Sequence, residues 1–347
     1  MDYEATRTST QAPSRTHHTA PLRKIAPDQE LIMPVVQDRL PQLDGGLFLT
    51  DGGIETDLIF NDRIELPHFA AFVLLKTPEG KQFLRDYFVR YARIAKTNGV
   101  GFILESPTWR ASADWGEKLG YSMPALAKAN AEAIDLMREL KREFHDETTP
   151  FVISGCVGPR GDGYDPGTVM SLQAAQAYHS QQIDVFAGSG ADLVTAITMT
   201  NASEAIGVTR AAQAADMPVA IAFTVETDSR LPTGQSMQEA IEEVDDVTSS
   251  GPAYFMINCA HPTHFEAALE SDAAWVKRIR GIRANASRRS HAELNEAPDL
   301  DDGNPVELGA QYRALRLRHP QINVLGGCCG TDRRHVQAIC DACQSVT

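Results

Sequence analysis

Eight short apolar runs, each followed by a stretch with helical periodicity, constrain this chain more than any other feature. They fall at residues 47–50, 100–105, 151–155, 193–198, 219–224, 254–258, 279–284 and 322–326. Most are rich in β-branched or aromatic residues and are bounded by Gly, Pro or Asn, as strands buried on both faces of a parallel sheet are. The clearest intervening helix is expected over 78–97. Pro78 suits its first turn, Leu84, Tyr87, Phe88, Tyr91, Ile94 and Ala95 share one face, and Asn98-Gly99 stops it. Comparable segments lie near 124–144, 168–188, 203–215, 235–249, 305–318 and 331–343, with the shortest near 263–269. The alternation predicts an α/β chain folded as a (β/α)8 TIM barrel, a closed ring of eight parallel strands. A doubly wound open sheet is the rival. Against it, no G-x-G-x-x-G follows the first run and no Walker loop occurs.

The barrel is assigned to residues 41–347. Residues 1–40 offer little to bury, especially over the Ser-, Thr-, Arg- and His-rich first thirty, and are expected to be a disordered or extended N-terminal segment. The start lacks the apolar core of a secretory signal. Residues 286–304 form a long polar insert after the seventh run, read as a solvated loop, with a lid or interface segment as the alternative.

Chemistry in such barrels gathers at the C-terminal ends of the strands. Asp51, Glu105, Asn258-Cys259 and Cys328-Cys329 all fall there. The adjacent cysteines sit in Gly326-Gly327-Cys328-Cys329-Gly330-Thr331, where glycines let the backbone bend until both sulfurs face one point. Thiolates suit zinc, and Cys259 ends an earlier run in the same manner. A Zn2+ site of Cys259, Cys328 and Cys329 is expected, with the fourth position open as in catalytic sites. His261 is the alternative fourth ligand. Cys340 and Cys343 have C-x-x-C spacing but lie in a helical pattern, so helix packing is expected of them and a four-cysteine site is the alternative. A redox role for Cys328-Cys329 needs a strained vicinal ring. Six cysteines are too few for a disulfide scaffold in a chain of 347 residues.

A net charge of −14 argues against nucleic acid or an anionic membrane surface as partner. No run of eighteen apolar residues exists to cross a bilayer. Small-molecule partners and a cytoplasmic setting are expected; oligomeric state stays open, a homo-oligomer included.

With the cysteines on strand ends, residues 45 to the C-terminus resemble the zinc-dependent homocysteine S-methyltransferase family. Thr50-Asp51-Gly52-Gly53-Ile54-Glu55-Thr56 is similar to its opening Asp-Gly-Gly/Ala motif, and Ile103-Leu104-Glu105-Ser106-Pro107-Thr108 to its second-strand pattern. Ser154-Gly155-Cys156-Val157-Gly158-Pro159 resembles its third-strand turn. Ile257-Asn258-Cys259 and the Cys328-Cys329 motif match the family's two zinc-supplying stretches, the second being highly specific. The resemblance implies methyl transfer from an onium donor (S-methylmethionine, S-adenosylmethionine or betaine) to the thiol of homocysteine, forming methionine. Zinc coordination would strip the thiol's proton and orient its sulfur. Substrate contacts are carried over to Asp51, Gly52, Glu105, Asn258 and Asn285, with Asp51 expected to meet the acceptor's ammonium.

One departure stands out. Ile197 occupies the position where the family carries a Glu that helps hold the acceptor's amino group, so another thiol or selenol, or a non-catalytic thiol-binding barrel, stays open. A cationic donor invites aromatic faces, for which Trp109, Trp115, Tyr164 and Tyr254 are candidates.

Overall fold

Alternating inward and outward side chains on eight short strands close a single sheet. The computed structural model describes residues 40–297 and 299–344, so the expected N-terminal segment falls, apart from Leu40, outside the described residues. The strands are β1 (Phe48–Leu49), β2 (Gly101–Glu105), β3 (Phe151–Val157), β4 (Leu193–Met199), β5 (Val219–Phe223), β6 (Tyr254–Asn258), β7 (Ile279–Ala284) and β8 (Val324–Gly327). They pair in sequence order as a closed parallel barrel. Phe48 is in register with Gly101 on one side and Val324 on the other, which closes the ring.

The helix Pro78–Asn98 shows how local sequence and packing agree. The Thr77 hydroxyl caps it by accepting from the Gly80 N–H, and Gly99 ends it at a φ of 63°. Its buried face carries Leu84, Tyr87, Phe88 and Tyr91 against the outside of the barrel. Each such side chain contributes roughly 1.5–3 kcal/mol of burial. Ser122, Ser171, Asn201 and Ser236 cap later helices in the same way. Cys340 and Cys343 pack inside Arg333–Cys343, as helix-packing cysteines should.

The structure departs from the sequence reading at several places. The third strand runs on to Val157 and takes Cys156 into the sheet opposite Thr195. The helix expected from 168 begins at Leu172, because Ser171 is its cap. The short segment near 263–269 divides into Pro262–Phe265 and a tighter turn, Glu266–Leu269. The insert after β7 is not plain loop. Ser290 and Glu293 form a capping box that starts a small helix, His291–Asn295.

The barrel's bore changes character along its length. Near the N-terminal ends of the strands Phe48, Ile103, Val152, Leu193, Tyr254, Met256 and Val324 fill it as one apolar cluster. Towards the C-terminal ends it becomes polar, with buried Glu105, Ser154, Thr195, Asn258 and Arg283.

Candidate metal centre

Three sulfurs meet at the C-terminal mouth of the barrel. The Sγ atoms of Cys259, Cys328 and Cys329 lie within 4.8 Å of one another, the only such set of three potential ligands among the described residues. Two strand ends deliver them. Cys259 follows β6 directly, its N–H donating to the Arg283 carbonyl at 3.1 Å. Cys328 follows β8, its N–H donating to the Ala284 carbonyl at 2.8 Å.

Tight packing explains the glycines around the pair. A Cβ on Gly327 would stand 2.0 Å from the Thr331 hydroxyl, and Gly330 turns the chain at a φ of 78°. The Thr331 hydroxyl donates to the Cys328 carbonyl at 2.7 Å and accepts from the Gly53 N–H at 3.1 Å, tying this turn to the Asp-Gly-Gly segment.

Strain collects here. Cys259 has a φ of 53° and Thr198 a φ of 63°, a conformation costly for a β-branched residue. Thr198 lies where the pairing of β4 with β5 shifts register. The Asn258 side chain holds it, accepting from the Thr198 N–H at 2.7 Å and donating to its hydroxyl at 2.8 Å.

Each sulfur has one polar neighbour. The Thr198 hydroxyl donates to Cys259 Sγ at 3.8 Å and the Asn258 amide to Cys328 Sγ at 3.9 Å. The Tyr164 hydroxyl lies 3.4 Å from Cys329 Sγ. Burial first, and then the neighbouring cysteine, holds the Tyr164 phenol well above its ordinary pKa, so it keeps its proton for donation. Burial also pushes the Cys329 thiol up. Three thiolates with a donor apiece fit a borderline metal such as zinc, whose fourth position catalytic sites leave to water or substrate.

In the structure the sulfurs of Cys259 and Cys328 are joined as a disulfide and Cys329 is a free thiol. The vicinal pair of Cys328 with Cys329, disfavoured from sequence for its strained ring, is not the one formed. Strand ends set the partner: the Cα atoms of Cys259 and Cys328 are 5.3 Å apart, inside the usual disulfide range. Disulfide and metal are alternatives, since a metal needs both sulfurs reduced.

The other expected contacts divide. Asp51 is buried beside the cluster but already engaged: Tyr87 Oη donates to its Oδ2 at 3.0 Å and Arg283 Nη2 to its Oδ1 at 2.7 Å. Desolvation raises the Asp51 pKa against the pull of Arg283. Gly52 packs its backbone against Thr331 and Tyr91, leaving no room for a side chain. Glu105 is buried in the bore, and desolvation pushes its carboxyl up to about 7; its Oε2 has no hydrogen-bond partner among the described residues. Asn258 is occupied with Thr198 and Cys328. Asn285 donates to the Cys259 carbonyl at 3.0 Å, while its Oδ1 is unpartnered. Ile197 packs against the apolar cluster of the bore.

His261 caps Pro262–Phe265 through Thr263 instead of joining the sulfurs. Of the aromatic candidates only Tyr164 touches the cluster. Tyr254 lies in the apolar half of the bore, where Gln42 donates to its hydroxyl at 3.4 Å. Trp109 faces Arg110, and Trp115 is flanked by Arg110 and Lys118, cations of the chain itself.

Sequence reasoning missed three residues. His291, from the insert, stacks on Tyr164 with ring centres 3.9 Å apart, contacts the Cys259 carbonyl through Nε2 at 2.5 Å and Glu226 through Nδ1 at 3.0 Å. The insert therefore packs beside the cluster. Arg283 faces the bore, and the register shift in the β6–β7 pairing, which the sequence does not show, turns it there. Glu55, half-buried after the Asp-Gly-Gly turn, is pushed up to about 7 by desolvation, with Asp51 adding to the rise.

Comparison with known proteins follows the same lines. The sequence model of the homocysteine S-methyltransferase family matches residues 48–343. A selenocysteine Se-methyltransferase of Brassica oleracea var. italica is 22% identical over 320 residues, covering 85% of this chain and 88% of that protein. Homocysteine S-methyltransferase 2 of Arabidopsis thaliana is 22% identical over 328 residues, covering 85% and 92%. In fold, the chain resembles the homocysteine methyltransferase MmuM of Escherichia coli. The oxidized form superposes with a TM-score of 0.66 at 20% identity, over 84% of this chain and 94% of that one. The metallated form gives 0.63 at 17% identity, over 86% and 96%.

Proposed function

Because the chain belongs to the homocysteine S-methyltransferase family, we propose that it moves a methyl group from an onium donor to the thiol of homocysteine, forming methionine, at a zinc site of Cys259, Cys328 and Cys329. The observation that carries this reading is the convergence of three sulfurs at the barrel mouth, each beside a hydrogen-bond donor. Bound there, zinc would supply Lewis acidity that holds the acceptor's thiol deprotonated at neutral pH.

The chain's own residues do the rest. Thr198, Asn258 and Tyr164 orient the three cysteine sulfurs and spread their charge through O–H···S and N–H···S contacts. Tyr164 and His291 stack on each other beside the cluster, against the Cys329 sulfur and the Cys259 carbonyl. The acceptor's sulfur bonds to the methyl carbon as the bond from that carbon to the onium centre breaks, and the electron pair leaves with a neutral thioether or amine. No protein base touches the methyl. The donor is S-methylmethionine, S-adenosylmethionine or betaine, with the Tyr164 ring the aromatic face nearest the sulfurs. Glu105, Asn285, Asn258, Asp51 and Gly52 line the acceptor's side, and the unpartnered Glu105 Oε2 is the best placed to meet an ammonium. The need for reduced thiols suits a cytoplasmic setting; among the described residues no helix is long and apolar enough to cross a membrane.

A selenol acceptor is the second reading, favoured by the similarity to a selenocysteine Se-methyltransferase and by Ile197 on β4. Both are tested together. Protein purified under reducing conditions is expected to hold about one zinc per chain and to form methionine from homocysteine with one of the three donors. Zinc with turnover of selenocysteine alone would select the second reading. Zinc-free, inactive reduced protein would overturn both.

A further inference from the structure

The upper bore holds an unpaired donor and an unpaired acceptor side by side. Arg283 and Glu105 are both buried, each 4% exposed. The Arg283 guanidinium spends two of its nitrogens on the barrel wall. Nε donates to the Gly327 carbonyl at 3.1 Å, while Nη2 donates to Asp51 Oδ1 at 2.7 Å and to the Gly52 carbonyl at 3.1 Å. Nη1 has no partner among the described residues. Glu105 rests on Ser154 and Thr195, and its Oε2 is unpaired as well. The two feel each other's charge yet form no ion pair. Buried guanidinium N–H groups and carboxylate oxygens are rarely left so, because desolvation is then uncompensated.

Position ties this pair to the sulfurs. Arg283 is in register with Asn258 on β6 and Gly326 on β8, just beneath Cys259 and Cys328. Tyr164 lies against the Cys329 sulfur and His291 against the Cys259 carbonyl, with Cys328 and Cys329 partly exposed. A thiol bound at the cluster with its tail turned down the bore comes upon these two groups. There it meets a donor for a carboxylate and an acceptor for an ammonium, the complement of an α-amino acid. Asp51, neutralised by Arg283, no longer offers the ammonium a free charge.

We propose that Arg283 is the specificity-determining anchor for the carboxylate of the acceptor, through Nη1, with Glu105 Oε2 opposite it for the ammonium. This assignment rests on the thiol-methyltransferase reading above. It makes the substrate class a thiol whose tail ends in a carboxylate, and makes the ammonium the weaker of the two recognition elements.

The test uses the full chain, reduced and loaded with Co2+, whose absorption reports thiol binding without a methyl donor. Three thiols are titrated: homocysteine, 4-mercaptobutanoate, which lacks the ammonium, and 3-aminopropane-1-thiol, which lacks the carboxylate. The expected order places 3-aminopropane-1-thiol about 100-fold weaker than homocysteine, with 4-mercaptobutanoate much closer. Arg283→Gln is expected to weaken homocysteine to a similar extent while leaving 3-aminopropane-1-thiol unchanged, and Arg283→Lys to recover part of the loss. Should Arg283→Gln fail to fold, the comparison of thiols on the unaltered chain still decides. Equal binding of homocysteine and 3-aminopropane-1-thiol, or equal weakening of both by Arg283→Gln, overturns the anchor. No spectral response to any thiol would instead overturn the reading of the cluster, and the anchor with it.

Discussion

The two halves of the bore follow opposite rules. In the lower half Phe48, Ile103, Val152, Leu193 and Val324 interlock without a charged group among them. In the upper half Asp51, Glu105 and Arg283 are buried within one electrostatic network, beneath three cysteines, one of which, like Thr198, has a left-handed backbone. Burying apolar surface stabilises the barrel, whereas burying charges costs several kcal/mol per ion before their attraction offsets it. One half thus supplies the stability that lets the other keep a desolvated, strained and partly unpaired set of groups.

Breaking the upper half at its centre should have the largest effect on activity and little on folding. Cys328→Ala is expected to lose the metal and to cut methyl transfer by on the order of 1000-fold, or about 4 kcal/mol in the barrier. Metal analysis with an initial-rate assay checks it. Retained zinc at full stoichiometry would remove Cys328 from the site.

The reverse outcome is expected below. Phe48→Ala empties the space against Gly101 and should cost roughly 3–5 kcal/mol of stability, with the acceptor's KM nearly unchanged. Denaturant unfolding and steady-state kinetics on one preparation measure both. A large KM change without loss of stability would contradict the division of the bore.

Glu105 sharpens the contrast through pH. Its folded pKa, raised to about 7 by desolvation, lies above the unfolded carboxyl value. Between the two values the folded state binds more protons than the unfolded state, so this group's contribution to stability falls as pH rises towards 7 and stays low above it. Glu105→Gln should therefore be more stable than the unaltered chain at pH 8, by roughly 2–3 kcal/mol, and nearly equal at pH 4.5. Homocysteine binding should weaken in the same variant. Unfolding curves with parallel pH dependence for both proteins would count against it.

The smallest effect is expected from Ile103→Val, one methylene in the lower half, at about 0.5–1.5 kcal/mol. Thermal unfolding is sensitive enough to see it, and turnover should not change.

Much of the fold was legible because strand period and helix caps are local. The run at 254–258 and the helix at 305–318 appear in the structure with the bounds read from their residues. Half of the site was legible for a different reason. Gly-Gly-Cys-Cys-Gly carries its chemistry in adjacent residues, and Cys259 closes its strand just as Cys328 does. The remainder was hidden by register. Ile279 packs on the outside of the barrel with Ile282 and Ala284, because the β6–β7 pairing shifts between Phe255 and Met256, and that shift turns Arg283 inward. His291 reaches the Cys259 carbonyl and the Tyr164 ring from an insert whose polar composition reads as solvated loop.

The sequence by itself determined the barrel and the three cysteines, since periodicity and neighbouring ligands are properties of short segments. Only the tertiary structure decided that Asp51 meets Arg283, 232 residues away, that Cys259 pairs with Cys328, and that Tyr164 and His291 stack beside them. Those contacts depend on closure of the ring and on strand register, which bring together residues whose own neighbours in the chain say nothing of the encounter.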